Sequence, residues 1–383
     1  MKTKNQFRTI FLILLSLTPL CGLFAQSPQG AMTAPPTSIA DIVNLVEIPN
    51  TRTLGIHSII AGQEYTLHIN LPANYGQSTE SYPVLYLLDG QWDFPLVSAI
   101  YGEQYFDGFI PGIITVGITW GGDHPDYDKL RARDFTPSSP DGSARWGNAP
   151  KFLAFIKSEL IPFIDSKYRT EKGERTLMGS SLGGLFTLYA MYNETELFNR
   201  YVLTSPAFQW DNGSLIFSEK EYAEKRSATP VRLFMGIGGL EPGVAAFESE
   251  LVNHLRSVKY KGLQFETLIM DNTGHSGTKA EGYTRGLQSV YSRPSLKLPI
   301  ALLDQYTGVY AAGTDTLRIR KEKDHLAWIM NNRVTFPLNA ESPTAFYVKG
   351  VFINADFKKD NADKVDAVEC RTFGGKIYLK KIN

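Results

Sequence analysis

The stretch TLMGSSLGGLFTLYA (Thr176–Ala190) decides the fold. Its start is a short apolar strand, its end has the apolar spacing of a helix, and two serines stand between glycines at the join. A serine presented at such an elbow sits in a strained backbone conformation. The residues two before and two after it must be small, or their side chains collide across the turn. Ser181 has Gly179 before it and Gly183 after it, whereas Ser180 would have Met178 and Leu182. Only Ser181 fits the register. Gly184 additionally lets the outgoing helix approach the sheet closely.

Working outward, YPVLYLLDG and GIITVGITW are continuous apolar runs, as the buried strands of a parallel sheet require. EYTLHINLP alternates like a half-buried strand. APKFLAFIKSELIPFIDSKY has helical spacing, with Phe152, Phe155, Ile156 and Leu160 on one face. RYVLTSP, VRLFMGIGG and LQFETLIMD add strands with helical stretches between them. This alternation predicts a doubly wound α/β domain over residues 47–297 with a mostly parallel sheet, and the serine elbow within it makes the expectation one of the α/β-hydrolase kind. From Ile300 to Ile382 no helical periodicity remains, and TLRIRKEKDHLAWIM reads strand, polar turn, strand. Asp324 and Gly374-Gly375 supply turn chemistry there. Residues 298–383 are therefore expected to form a small, barrel-like antiparallel β domain.

The chain begins MKTKNQFRTIFLILLSLTPLCGLFAQSPQG. Three basic residues precede an apolar run of about a dozen residues, too short for a comfortable membrane span. Ala25 offers a small residue for cleavage, so residues 1–25 read as a secretory signal peptide and 26–46 as a leader. The protein is expected to be exported, periplasmic or secreted. A lipoprotein anchored through Cys21 is the alternative, against which stands Leu20 where a small residue is normal. Cleavage after Ala25 leaves Cys370 as the single cysteine, so stability must come from cores and not from an internal disulfide. No other stretch is long and apolar enough to span a bilayer. Lysine plus arginine equals aspartate plus glutamate at 39 each, which gives no electrostatic reason to expect nucleic acid or an anionic membrane as partner.

A serine hydroxyl is a poor nucleophile until a base takes its proton. In this fold the order is serine, acid, histidine, so the base lies after Ser181. Of the later histidines, His254 sits within an amphipathic helix and His325 in the β region. His275, in MDNTGHSG just after the last strand of the alternating region, stands where the final catalytic loop should be. The acid must orient that imidazole. Glu241, at the carboxyl end of VRLFMGIGG, is favoured over Glu248, Glu250 and Asp271; a Ser–His dyad with a weak third member is the other reading. The oxyanion needs backbone N–H donors, expected from Leu182 and from Gln91 in YLLDGQW. Trp92, Phe208 and Trp210 are candidates for an acyl or aromatic pocket, with ordinary core positions the competing reading. Arg131, Arg133 and Asp134 in RARDFTP read as a structural ion pair, not as substrate contacts.

INLPANY, YPVLYLLDGQ, RARDFTP, FLAFIKSELIPFIDSKYRT, MGSSLGG, SPAFQW and GHSG run in order from Ile69 to Gly277. Together they resemble the esterase-D-like "putative esterase" family of α/β-hydrolases. That family includes siderophore esterases, feruloyl esterases, S-formylglutathione hydrolases and mycolyl-type acyltransferases. The resemblance implies nucleophile and base roles for Ser181 and His275, and the acid role for Glu241. Gln209 departs from the pattern, standing where relatives often place a second aromatic. The expectation is an exported serine esterase, needing no metal or organic cofactor, that acts on carbohydrate-linked feruloyl or acetyl esters. A siderophore ester, or acyl transfer to a sugar hydroxyl, is the alternative. A binding protein with a vestigial site is disfavoured by the intact serine, histidine and glycines. Oligomeric state is not readable from the sequence.

Overall fold

The computed structural model describes residues 47–217, 230–258, 260–330, 334–372 and 375–382. The expected signal peptide, leader and Gly374 turn residue lie outside them. The chain divides into two compact units, passing from one to the other between Ser292 and Arg293.

The first unit, Pro49–Ser292, is built on one eight-stranded sheet. Its strands are β1 (Thr51–Ser58), β2 (Gln63–Asn70), β3 (Tyr82–Leu87), β4 (Ile114–Trp120), β5 (Thr170–Ser180), β6 (Arg200–Thr204), β7 (Val231–Gly238) and β8 (Leu263–Met270). They lie in the order β1-β2-β4-β3-β5-β6-β7-β8. The hairpin β1–β2 joins β4 antiparallel, and every other pairing is parallel. All residues of β3 and β4 are buried, which is why both read as unbroken apolar runs. The helices are α1 (Gly90–Phe106), α2 (Tyr127–Phe135), α3 (Ala149–Phe155), α4 (Ile161–Lys167), α5 (Leu182–Asn193), α6 (Ser214–Phe217), α7 (Pro242–Val258) and α8 (Thr278–Val290). A π-helical turn, Ile156–Leu160, joins α3 to α4. Phe152, Phe155, Ile156 and Leu160 are fully buried, so the expected apolar face survives that turn.

The strand order places the site. After β3 the chain moves outward to β4, then returns across β3 to lay β5 on its other side. The connections leaving β3 and β5 therefore diverge, opening a crevice at their carboxyl ends, where ligands bind in such sheets. The loops after β3 and β5 flank that crevice.

The second unit takes in Arg293–Asn383. It is a closed antiparallel barrel, β10-β11-β12-β13-β14-β15-β16-β9. Its strands are β9 (Gly308–Ala312), β10 (Asp315–Glu322), β11 (His325–Met330), β12 (Val334–Ala340), β13 (Ala345–Tyr347), β14 (Asn354–Lys359), β15 (Val365–Thr372) and β16 (Gly375–Lys381). Alternation points Leu317, Ile319, Leu326, Trp328, Phe357, Val368 and Leu379 inward to one apolar core. One expectation is corrected here. A helix, α9 (Ile300–Tyr306), precedes the barrel and buries Leu303 and Tyr306 in its core. Seven residues make only two turns, too few for a helical period to stand out in the sequence.

Candidate active site

β5 ends at Ser180 and α5 begins at Leu182, so Ser181 alone makes the turn. Its backbone lies at φ 58°, ψ −120°, a sparsely populated conformation for a residue with a side chain. The surroundings hold it there. Its N–H donates to Thr204 O (3.0 Å), and its carbonyl accepts from Leu185 N and Ala207 N (both 3.0 Å). The glycines are a steric necessity: a Cβ on Gly179 would stand 2.5 Å from the Gly183 carbonyl carbon. The two serines differ in exposure. Ser180 is buried and its hydroxyl has no hydrogen-bond partner, whereas Ser181 is half-buried.

The first hydrogen bond of the α5 ladder is Leu185 N to Ser181 O, so the N–H of Leu182 precedes it. On the neighbouring strand, β3 leads through Asp89 into α1, whose first bonds run from Trp92 N and Asp93 N to Asp89 O (both 3.0 Å). The N–H of Gln91 likewise precedes the ladder, and both ends of its side-chain amide are buried and unpaired. Two helix N-termini thus open on adjacent parallel strands, where partial positive charge favours an anion.

His275 opens a short 3₁₀ turn just before α8. Its Nδ1 pairs with Glu241 Oε1 at 2.6 Å, leaving Nε2 for other work. The other carboxylate oxygen of Glu241 accepts from Ser205 Oγ (2.5 Å) and Gly238 N (3.0 Å). Burial pushes this carboxyl up, but the hydrogen bonds from Ser205, His275 and Gly238 outweigh it and hold Glu241 below the usual glutamate range. The loops after β7 and β8 are laced by Gly239 N to Met270 O (2.8 Å) and Leu240 N to Thr273 O (3.1 Å). A Cβ on Gly238 would come within 2.2 Å of Thr273 O, so this approach also requires glycine.

Ser205 and Thr278 were not singled out by sequence reasoning. Ser205 is buried at φ 40°, and its hydroxyl also contacts Thr278 Oγ1 (2.9 Å), which donates to His275 O (2.7 Å). The one signal for Ser205 was its place at the end of a strand beside the elbow. Among the described residues, the other candidate acids make no hydrogen bond to His275. Glu248 is buried on α7, where burial pushes its carboxyl up, and Glu250 and Asp271 are exposed. His325 pairs instead with Asp324 in a barrel turn (3.4 Å).

The three aromatic candidates separate. Phe208 is fully buried in the core, so it is corrected from pocket to packing: the tight bond from its N–H to Pro206 O (2.7 Å) turns it inward. Trp92 is 48% exposed and edge-on to Tyr127, centroids 6.3 Å apart. Trp210 is half-buried against Trp146 (4.7 Å), its Nε1 donating to Ser138 Oγ (3.1 Å). The RARDFTP residues divide too. Arg133 pairs with Asp134 (2.7 Å), a buried hub that also accepts from Tyr65, Trp120 and Asn148. Arg131 turns away to Asp89.

A family model described as "Putative esterase" matches residues 58–246. The ferri-bacillibactin esterase BesA of Bacillus subtilis is 28% identical over 253 residues, covering 61% of this chain and 86% of that one. An endo-1,4-beta-xylanase/feruloyl esterase of Xylanibacter ruminicola is 24% identical, covering 59% of this chain and 29% of that one. Among solved structures, an IroE-like serine hydrolase from Shewanella oneidensis superposes with a TM-score of 0.55 at 26% identity, covering 63% of this chain and 80% of that one. With this sheet and these relatives, the chain is an esterase whose residues 58–246 match the family described as "Putative esterase".

Proposed function

We propose that the chain is a serine esterase in which Ser181 attacks an ester carbonyl and His275 takes its proton. The observation that carries this reading is the strained, half-buried Ser181 at the crevice mouth, on a sheet whose neighbouring loops supply a histidine already bonded to a carboxylate. Glu241 holds the imidazole by Nδ1 and stabilises the imidazolium once Nε2 has accepted the proton. The N–H groups of Leu182 and Gln91 receive the negative charge that develops on the carbonyl oxygen. His275 then protonates the departing alcohol, the acyl group stays on Ser181 Oγ, and a water activated by His275 releases the acid.

The substrate we propose is a siderophore ester, because the similarity to BesA takes in most of that protein. A feruloyl or other carbohydrate-linked ester is the second reading. The Xylanibacter relative favours it, as do the exposed Trp92 and the Trp210–Trp146 pair, which offer flat surfaces to an aromatic acyl group. We also propose export directed by residues 1–25, on the strength of their basic start, apolar run and Ala25.

The test compares wild type with Ser181→Ala on a siderophore ester, methyl ferulate, acetylated xylan and p-nitrophenyl acetate. The variant is expected to lose at least about a thousandfold in kcat. Comparable activity of both proteins on every substrate would sink the mechanism. The ratio of kcat/KM between siderophore ester and methyl ferulate decides the substrate, and product analysis with a sugar acceptor separates hydrolysis from acyl transfer.

A further inference from the structure

We infer that Arg131 is a positioning residue for the oxyanion donors, clasping the loop after β3 to the loop after β5 with one guanidinium. This rests on the reading of Ser181 as nucleophile. The pairing of β3 with β5 stops short of the donors. The last paired residues of β3 and β5 are Leu87 and Met178, followed by a single bond from Leu88 N to Met178 O (2.9 Å). Beyond that point β3 turns into α1, while β5 runs on beside β6 as far as Ser180 before turning into α5. Arg131, from α2, spans the gap: its Nε donates to Asp89 Oδ1 (2.8 Å) and its Nη2 to Ser180 O (3.1 Å).

Each contact lies beside a donor. Asp89 is the N-cap of α1, two residues before Gln91, and it stands at φ 54°, ψ 38°. Ser180 is two residues before Leu182. The distance between the two N–H groups is therefore set through a planar, fork-shaped cation that cannot relax one contact without tilting the other. The clasp is built to stay. Asp89 is 1% exposed, and the guanidinium lies against the rings of Trp92 (5.9 Å) and Phe135 (5.8 Å). The other end of the first turn of α1 is fixed independently. Asp93 accepts from Lys279 Nζ and Tyr283 Oη (both 2.6 Å), tying α1 to α8, the helix that follows His275. Arg131 thus adjusts α1 against the elbow, while Lys279 and Tyr283 adjust it against the histidine loop.

The probe is p-nitrophenyl acetate, with wild type, Arg131→Lys, Arg131→Ala and Ser181→Ala compared. Lysine keeps a positive charge beside Asp89 but presents no rigid fork. For Arg131→Lys we expect the melting temperature to hold and KM to stay within about twofold, while kcat falls between about tenfold and a hundredfold, short of the loss of a whole donor. The rate of covalent labelling by a fluorophosphonate should fall in parallel. Millimolar guanidinium should restore part of the Arg131→Ala activity, where equal sodium chloride does not. Unchanged kcat in Arg131→Lys overturns the inference. So does a rise in KM at constant kcat, which would make Arg131 a substrate contact, or a loss of activity that only follows the unfolded fraction. Full activity in Ser181→Ala would instead remove the esterase mechanism beneath it. An inactive Ser181→Ala beside a fully active Arg131→Lys removes the clasp alone.

Discussion

The carboxyl edge of the α/β sheet and the β barrel handle the same backbone difficulty in opposite ways. In the barrel, the positive-φ residues other than glycine among those described are Lys323 and Asp363, both exposed in turns between strands. In the α/β unit Asp89 and Ser205 take positive φ while buried, and Ser181 does so at the crevice. Each such residue costs about 1–3 kcal/mol, which the surrounding packing must offset. Buried polar side chains follow the same division. Of those among the described residues, Thr372 alone belongs to the barrel, and the rest, from Asp89 and Asp93 to Ser205 and Thr278, lie in the α/β unit. A barrel that keeps its positive-φ side chains in exposed turns spends little on strain, whereas a sheet edge that buries several of them marks a place where function outweighs stability.

The sharpest way to break that comparison is at the paired serines. Ser181→Ala should abolish labelling by a fluorophosphonate, the kinetic counterpart of the thousandfold loss. Ser180→Ala removes a buried hydroxyl that bonds nothing and should change neither kcat nor the melting temperature appreciably. Equal labelling of both variants would erase the distinction between the two sites.

A smaller effect is expected at the acid. Glu241→Gln should lower kcat by roughly a hundredfold or more, since a misoriented imidazole costs much of a triad's power. It should also change the dependence of stability on pH. The carboxyl of Glu241 is held below its unfolded value by Ser205, His275 and Gly238, against the push of burial. Its contribution is therefore complete above the unfolded value of about 4.3 and lost as pH falls through the lower folded value. The share of the stability gap between wild type and Glu241→Gln that the lowered carboxyl supplies should shrink as pH falls below about 4.3. A gap that widens as pH falls below about 4.3 contradicts the hydrogen-bond arrangement.

Ser205→Ala should come next, with about a tenfold fall in kcat, because Glu241 keeps its bonds to Gly238 and His275. Its pH–rate profile should shift toward a higher carboxylate limb. The smallest effect on activity is expected in the barrel. Trp328→Ala leaves a large void in the barrel core and should destabilise that unit by about 3–5 kcal/mol, with kcat on p-nitrophenyl acetate unchanged under conditions where the protein stays folded.

Much of the α/β architecture was legible because its signals are local. The apolar runs of β3 and β4, the glycine register around Ser181 and the alternation of Leu317 and Ile319 all lie within a few residues. Apart from the Glu241–His275 pair, the polar wiring was not legible, for the opposite reason. Asp89 meets Arg131 across 42 positions, and Ser205 meets Glu241 across 36, through strand order and loop path. Arg131, Arg133 and Asp134 read together as a structural ion pair, and Arg133 does take Asp134, yet Arg131 leaves them for Asp89. Phe208 and Trp210 show the same limit at short range, since one tight turn at Pro206 decides which ring faces the core. The short helix α9 escaped because two turns carry too little period to register.

The barrel is closed by β9 and β16, through the pairs Lys380 with Ala311 and Lys381 with Tyr310. The α/β sheet, by contrast, has its last strand complete at Met270. On a chain emerging in order, the sheet and its elbow can settle first, whereas the barrel waits for its final strand before its first strand has both neighbours. That closing pair joins residues some seventy positions apart, with the loop-closure entropy that such a separation implies. The α/β unit therefore does not need the barrel's closing pair in order to settle its own sheet.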